Sequence, residues 1–342
     1  MRPAIFHLRQ GPPLLRRGPP RPQLRKMVLP ILAAVALLAG CEIPEGRSPG
    51  EPLRVVTTTG MITDVVERVG GDRIQLHGLM GPGIDPHLYR ASAGDVRRLD
   101  SADIIFYNGL NLEASLGRVL EEMRVRTETV PVAEALPREL LLEDRDVAGA
   151  FDPHVWHDVA LWLRVVEIVA QALEGADPEG REYFRANATH LMEEMKELDL
   201  WIRTEVARIP EERRILVTAH DAFGYFGRAY GFRVEGLQGI TTLTEAGAGD
   251  VQRVARLVED HGLPSIFIES SRPRRNVEAV RAAVRARGVG VEIGGVLYSD
   301  ALGDRESAAG DYLGFMRENV RTIVEALKEP PTVNGTPGRP WT

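Results

Sequence analysis

The sequence predicts an α/β protein with two lobes, each a small parallel sheet flanked by helices, joined by one long helix. Short β-rich runs alternate with amphipathic segments from Leu53 onwards, and the same alternation resumes after residue 210. An unbroken helical stretch separates the two series. A chain of 342 residues is also too long for one compact unit and suits two domains.

Residues 1–40 have the pattern of a lipoprotein signal peptide. Arg25 and Lys26 precede an apolar run over 27–38, and small residues then lead to Cys41, the only cysteine of the chain. We expect Cys41 to be the lipidated N-terminus; the alternative is a buried structural cysteine. Residues 41–52 are rich in proline and glycine and are predicted to be a flexible tether. These features predict an extracytoplasmic protein, at the cell surface or in the periplasm, anchored to the membrane by its lipid.

The N-terminal α/β lobe is expected over residues 53–177. Its predicted strands cover 53–58, 74–80, 103–107 and 128–132, with a helix over 62–69 between the first two. A linker helix is predicted over 178–210, because apolar residues recur there at helical spacing and Pro210 ends the pattern. The C-terminal lobe is expected over 211–330, with strands at 214–218, 232–237, 265–269 and 289–293, and a disordered tail over 331–342.

The charge of the chain argues against a nucleic-acid partner. Residues 1–40 hold seven basic residues and no acidic one, so their removal takes the formal charge from -7 to -14. Nucleic-acid phosphates require a basic surface, whereas an acidic protein attracts cations.

Three histidines lie either directly after a proline, where the backbone is restricted, or at the end of a predicted strand. His87 and His154 each follow an Asp-Pro pair, and His220 follows the apolar run 215–217. Asp300 closes a comparable segment after the last predicted strand. Ligands of open α/β sheets bind at the carboxyl ends of the strands, so we predict that these four residues meet in the cleft.

Three imidazoles and one carboxylate suit a divalent first-row metal ion, with zinc slightly favoured over manganese. Taken singly, His87 or His154 could equally be a turn histidine, and His220 could simply cap a helix. His157 could be an accessory ligand or simply solvated. Of the other histidines, His77, His190 and His261 are interpreted as structural or exposed, and Trp156, Trp162 and Trp201 are interpreted as core residues.

Asp85 and Asp152 have two possible roles. In each metal-binding histidine, one ring nitrogen binds the metal, and the carboxylates could hydrogen-bond the other ring nitrogen. Alternatively, they could cap the turns beside the prolines. The second role is favoured by their position.

Several motifs together resemble the TroA-like family of solute-binding proteins, the zinc and manganese receptors of bacterial ABC importers. These are Gly83-Ile84-Asp85-Pro86-His87-Leu88-Tyr89, the segment 102–113, Asp152-Pro153-His154-Val155-Trp156, the segment 220–226, Glu269 in 266–269, and Tyr298-Ser299-Asp300. The resemblance spans the chain from Leu53 to Lys328. It implies metal ligands at His87, His154, His220 and Asp300, a rigid linker helix, an ABC permease and its ATPase as partners, and no enzymatic activity; we also expect a monomer.

The resemblance leaves the identity of the metal open. Many manganese receptors of this family have glutamate at the third ligand position, so His220 favours zinc. The zinc-specific branch often carries a histidine-rich acidic loop and a disulfide, and the chain has neither.

Two other functions compete with a metal receptor. A metal-dependent hydrolase also uses histidine and aspartate ligands, but the sequence has no His-Glu-x-x-His motif. A siderophore or corrinoid receptor can share the two-lobed plan, but it would need a wide cleft lined by aromatic residues.

Overall fold

The computed structural model describes residues 51–145 and 147–328, together with two short antiparallel strands, Thr332–Val333 and Thr336–Pro337. The predicted signal peptide, Cys41 and most of the tether lie outside the described residues, as does most of the predicted tail. Among the residues described, no helix combines the length and the apolar character that a membrane span requires.

The N-terminal part of the chain forms a four-stranded parallel sheet with the strand order β2-β1-β3-β4. Its elements are β1 Leu53–Thr57, α1 Gly60–Gly70, β2 Ile74–Gly78, α2 Ala93–Asp100, β3 Ile104–Tyr107, α3 Gly117–Met123, β4 Glu128–Pro131 and α4 Val159–Ala176. The central strand β3 reads Ile-Ile-Phe-Tyr and is buried along its whole length. A continuous apolar run of this kind is typical of a parallel strand that is covered on both faces.

The C-terminal part repeats the alternation of strand and helix. Its elements are β5 Ile215–His220, α6 Gly224–Tyr230, β6 Arg233–Gln238, α7 Ala248–Asp260, β7 Ser265–Glu269, α8 Arg275–Ala286, β8 Glu292–Leu297 and α9 Tyr312–Leu327. Strand β5 pairs in parallel with β6, and β7 with β8. Strands β5 and β7 lie next to each other, so their carboxyl ends are close.

The longest helix of the described chain, α5 Arg181–Val206, follows a 3-10 turn at Pro178–Gly180. Its 26 residues extend over about 39 Å at the usual helical rise. Helix α5 packs against α1 and α4 from the N-terminal part and against α6 and α9 from the C-terminal part. Its buried residues share one face, at the helical spacing that the sequence indicated: Phe184, Ala188, Leu191, Met195, Leu198, Ile202 and Val206.

One apolar core joins the two parts of the chain. It contains Val55 and Phe106 from the first sheet, Leu191 from α5, and Phe267 and Phe315 from the C-terminal part. Each part also has a smaller cluster of its own. Because the shared core is large and close-packed, the two parts cannot separate far without exposing apolar surface.

The predicted α/β class, with parallel sheets flanked by helices, is confirmed. Most strands end within about two residues of their predicted bounds, which is the usual precision of such boundaries. Strand β8 differs most, since the sequence predicted 289–293. Its register shifts opposite Ile266 and Phe267, and Gly295 has a φ of 145°. A Cβ at Gly294 would lie 2.7 Å from the ring of Phe267, so glycine is needed there for close packing.

Candidate metal centre

The four residues singled out in the sequence meet at one point. His87 follows β2 in a turn, His154 precedes the 3-10 turn Val155–His157, His220 is the last residue of β5, and Asp300 follows β8. Each contributes one nitrogen or oxygen atom to a group whose members all lie within 4.8 Å of one another. All four side chains are buried.

The spacing of these atoms fits a tetrahedral ion. Nε2 of His87 lies 3.3 Å from Nε2 of His154, which lies 3.5 Å from Oδ1 of Asp300. Nε2 of His220 lies 3.1 Å from Oδ2 of Asp300. Four ligands placed about 2.0–2.1 Å from a central zinc ion would be separated by about 3.3–3.4 Å. These three separations therefore match those between neighbouring ligands of one tetrahedral ion.

Three polar atoms at the centre of this group lack hydrogen-bond partners among the described residues. They are Nε2 of His220 and both carboxylate oxygens of Asp300. Buried polar atoms without partners are costly and uncommon in folded proteins. A cation bound between them would satisfy all three.

Asp152 fixes the ring of His154. Its Oδ1 lies 2.7 Å from Nδ1 of His154 and also accepts the backbone N–H of the same residue at 2.9 Å. Both roles considered for Asp152 in the sequence, the turn cap and the ring partner, are therefore present. Trp156 adds a contact, because its ring packs edge-on against His154 at 5.3 Å and its Nε1 donates to the carbonyl oxygen of Ser299.

The backbone that precedes His154 is held by a strained turn. Gly109, Leu110 and Asn111 all have positive φ angles, which is uncommon for leucine. The buried carboxylate of Glu113 accepts the backbone N–H groups of Asn108 and Gly109. Asn108 is thereby oriented to donate from Nδ2 to the carbonyl oxygen of Pro153 at 3.0 Å.

Glu269 supports His220 in the same way, a role that was not predicted from the sequence. It is the last residue of β7, next to the end of β5, and its Oε2 lies 2.5 Å from Nδ1 of His220. Its Oε1 accepts the backbone N–H of His220. The signal for this role was an acidic residue at the end of an apolar strand, adjacent to the strand that carries a candidate ligand.

The ring of His87 is held differently. Asp85 accepts the backbone N–H of His87 at 2.9 Å, so it acts as the cap of the turn. The carbonyl oxygen of His87 accepts the hydroxyl of Ser115. Within the described part of the chain, no hydrogen bond to a carboxylate supports this ring. The position of His87 is thus set through its backbone.

The charges of the site favour a bound cation. Burial lowers the pKa of His87 to about 3, because the charged ring loses its solvent. Burial also disfavours charge on His220, but Asp300 and Glu269 outweigh it and raise the pKa of His220 well above its ordinary value. Burial disfavours the charged form of Asp300 as well, yet the imidazoles around it, His220 foremost, hold the pKa of that carboxyl far below its usual range. A metal ion at this point would replace the proton of His220 as the balancing charge.

The other described histidines are not members of this group. His157 is fully buried and stacks on Phe223 at 4.3 Å, so the expectation that it could stay solvated is wrong. It is not among the four residues whose ligand atoms converge. Three further histidines in the described part of the chain, His77, His190 and His261, are exposed.

Two of the three tryptophans that the sequence placed in the core, Trp156 and Trp162, are fully buried. Trp201 is only partly buried at the edge of the core, with Arg317 and Arg321 over its ring.

The parallel α/β fold and the buried group of three imidazoles and one carboxylate define a protein with a candidate site for a divalent metal ion. A family model described as "Zinc-uptake complex component A periplasmic" matches residues 55–326, and the chain belongs to that family. The resemblance to TroA-like proteins that the motifs predicted is confirmed.

One relative named for zinc and one named for manganese are both similar to the chain over nearly their whole length. The zinc-binding protein TroA of Treponema pallidum is 46% identical over 310 residues, which are 89% of this chain and 99% of the relative. The manganese-binding lipoprotein MntA of Bacillus subtilis is 42% identical, over 87% of this chain and 97% of the relative. A solved structure of the periplasmic zinc-binding protein TroA from Treponema pallidum superimposes with a TM-score of 0.79 at 48% identity, covering 81% of this chain and 99% of the other.

Proposed function

We propose that this protein is an extracytoplasmic solute-binding protein that captures a divalent transition metal, zinc slightly favoured over manganese, and delivers it to an ABC permease. His87, His154, His220 and Asp300 are the proposed ligands. The observation that carries the proposal is the convergence of four buried ligand atoms, one from each residue, within 4.8 Å of one another. The relatives named as metal-binding proteins support it.

The domain organisation follows from the same proposal. Residues 53–177 and 211–330 would act as the two lobes, and the segment 178–210, which includes α5, as the linker between them. The metal ligands come from both sides, since His87 and His154 precede α5 and His220 and Asp300 follow it. The shared apolar core favours small shifts at the cleft over a wide opening when the metal is released.

Location and partners are the finer part of the proposal. Relatives named as lipoproteins of manganese ABC transporters support an extracytoplasmic protein that works with a permease and its ATPase. A lipid on Cys41 would anchor the chain to the membrane, and the protein would act as a monomer.

Binding without catalysis is favoured by the ligand set. Four protein ligands complete a tetrahedral shell, whereas catalytic zinc retains an open position for water. A siderophore or corrinoid would not fit between ligand atoms that lie 3.1–3.5 Å apart. Three imidazoles favour zinc over manganese, which prefers oxygen ligands.

The test is equilibrium binding of zinc and of manganese to the purified protein, alone and in competition. We expect one ion per chain, with zinc bound more tightly. Alanine at His154 should abolish tight binding, while alanine at the exposed His190 should leave it unchanged. Tight binding that survives the loss of His154 would refute the proposed ligand set.

A further inference from the structure

A buried ion pair joins the turn that carries His87 to the C-terminal part of the chain. Nη1 of Arg272 donates to Oδ2 of Asp85 at 2.6 Å, and the two side chains are only 6% and 10% exposed. The hydroxyl of Thr242 donates to the same oxygen at 2.8 Å. The second carboxylate oxygen, Oδ1, accepts the backbone N–H of His87. The carboxylate of Asp85 thus links a candidate metal ligand, His87, to two residues that follow α5 in the chain.

Arg272 is itself held in place. Its Nη2 donates to Oε1 of Gln238 at 2.7 Å, and Nε2 of Gln238 donates to the carbonyl oxygen of Thr244. The backbone N–H of Arg272 donates to the carbonyl oxygen of Glu269, the residue that supports His220. The guanidinium group is therefore fixed between two acceptors, a geometry that the single ammonium group of lysine cannot reproduce.

This link matters more for His87 than for the other ligands. The rings of His154 and His220 are each fixed by a carboxylate, whereas His87 has no such partner among the described residues. Within the described chain, every hydrogen bond between the turn at 83–88 and residues beyond α5 ends on Asp85. Pro86 restricts the backbone between Asp85 and His87, so a shift of Asp85 moves His87 with it.

We propose that Arg272 is a positioning residue that acts through Asp85 to hold His87 on the metal, and that it thereby sets the rate at which the metal leaves. The inference rests on the proposed function, because it concerns the release of the same ion. With the link intact, His87 is kept against the three other ligands. When Arg272 no longer reaches Asp85, the hydroxyl of Thr242 supplies the one hydrogen bond that still joins the turn to the C-terminal part among the described residues, and the coordination shell opens at His87.

The charge of Arg272 alone would have the opposite effect. A buried cation close to the site repels a bound metal ion, so its removal without other change would slow the departure of the metal. Loss of the link to Asp85 would speed it. The direction of the change therefore separates a positioning role from a purely electrostatic one.

The experiment loads the purified protein with zinc and follows its dissociation into an excess of chelator by stopped-flow absorbance. We expect Arg272→Gln to increase the dissociation rate about tenfold or more, the size typical of losing a residue that orients a metal ligand. The dissociation rate of Arg272→Lys should lie between those of Arg272→Gln and the wild type. Lysine keeps the positive charge but lacks the two-pronged donor geometry of the guanidinium group. Thr242→Val, which removes one donor from the same oxygen, should give a smaller increase.

A matched control is Arg305→Gln. Arg305 pairs with Glu67 at 2.5 Å and also joins the two parts of the chain, but it is 81% exposed and does not contact the site. We expect this variant to release zinc at the wild-type rate. Thermal unfolding of each metal-free variant separates a general loss of stability from a specific effect on release.

Unchanged or slower release from Arg272→Gln would overturn the positioning role. If that variant does not fold, wild-type rates in both Arg272→Lys and Thr242→Val would overturn it equally. If the wild-type protein binds one zinc ion and the variants release zinc at the wild-type rate, this inference is refuted and the proposed function stands. A wild-type protein that binds no zinc would refute the proposed function and this inference with it.

Discussion

The carboxylate of Glu269 and the imidazole of His220 form one unit, with Oε2 of Glu269 2.5 Å from Nδ1 of His220 and Oε1 accepting the backbone N–H of the same histidine. This contact leaves Nε2 of His220 pointing at Asp300, 3.1 Å from its Oδ2. A carboxylate that accepts from Nδ1 fixes the ring orientation and makes Nε2 a better metal donor.

Replacing Glu269 by glutamine should weaken metal binding. The amide can donate to Nδ1 of His220, which would leave the ring proton on Nε2, where the metal must bind. We expect a loss in affinity of about 10- to 100-fold, measured by competition with a chromophoric chelator. Glu278→Gln, a change at a more exposed glutamate that pairs with Arg274, is the control. Equal metal affinity in the two variants would show that Glu269 does not support metal binding.

Metal affinity should fall steeply in acid. Imidazole binds metal only when it is neutral, and its unperturbed pKa is about 6.5. Because Asp300 and Glu269 raise the pKa of His220 despite its burial, protons compete with the metal from above that value. We expect the dissociation constant to rise at least tenfold between about pH 7.5 and pH 5. Isothermal titration at both values would measure it, and a constant affinity would argue against histidine ligation.

His220→Glu should shift the metal preference towards manganese. A carboxylate replaces an imidazole, and oxygen ligands suit manganese better than nitrogen ligands do. The new carboxylate would lie beside Glu269 and Asp300, so we also expect the metal-free variant to be less stable. Competition between the two metals, analysed by mass spectrometry of the loaded protein, would give the ratio. An unchanged ratio would show that this position does not tune selectivity.

Asp64 should make the metal-free protein less stable at neutral pH than in mild acid. Its Oδ2 accepts the backbone N–H of Tyr312 at the start of α9, and burial raises its pKa to about 6. Glu67 and Asp311 add to the rise, while Arg68 opposes it. A carboxyl whose pKa is higher in the folded state than in the unfolded state binds more protons when folded, so stability falls as pH rises from about 4 to about 6.

Asp64→Asn tests this assignment. The amide oxygen can still accept from Tyr312 without a charge, so the variant should gain up to about 3 kcal/mol at neutral pH and about half of that near pH 5. Thermal unfolding of metal-free protein at the two pH values measures the difference. If the variant is less stable than the wild type by the same amount at both pH values, the charge of Asp64 does not destabilise the folded protein.

The parts of the site that follow from local patterns were predictable. Asp-Pro pairs restrict the backbone before His87 and His154, and an apolar strand ends at His220, so these residues were recognisable along the chain. Their meeting point depends on how the strands are ordered, and the alternation of strands and helices was sufficient to indicate it.

The supporting contacts were less accessible to sequence reasoning because they join distant residues. Glu269 meets His220 across neighbouring strands, and Arg272 meets Asp85 across a separation of 187 residues. His157 illustrates the same limit, since its stacking on Phe223 depends on the packing of α6 behind the site. Strand β8 was misplaced because Gly294 and Gly295 resemble a loop, although close packing against Phe267 requires a small residue there.

We propose that His87, His154, His220 and Asp300 surround one metal ion. Anomalous diffraction at the zinc absorption edge, from crystals of zinc-loaded protein, locates that ion. We expect a single strong peak about 2.0–2.2 Å from Nε2 of each histidine and from the carboxylate of Asp300. A peak elsewhere in the molecule, or one that only two of these side chains reach, would contradict it.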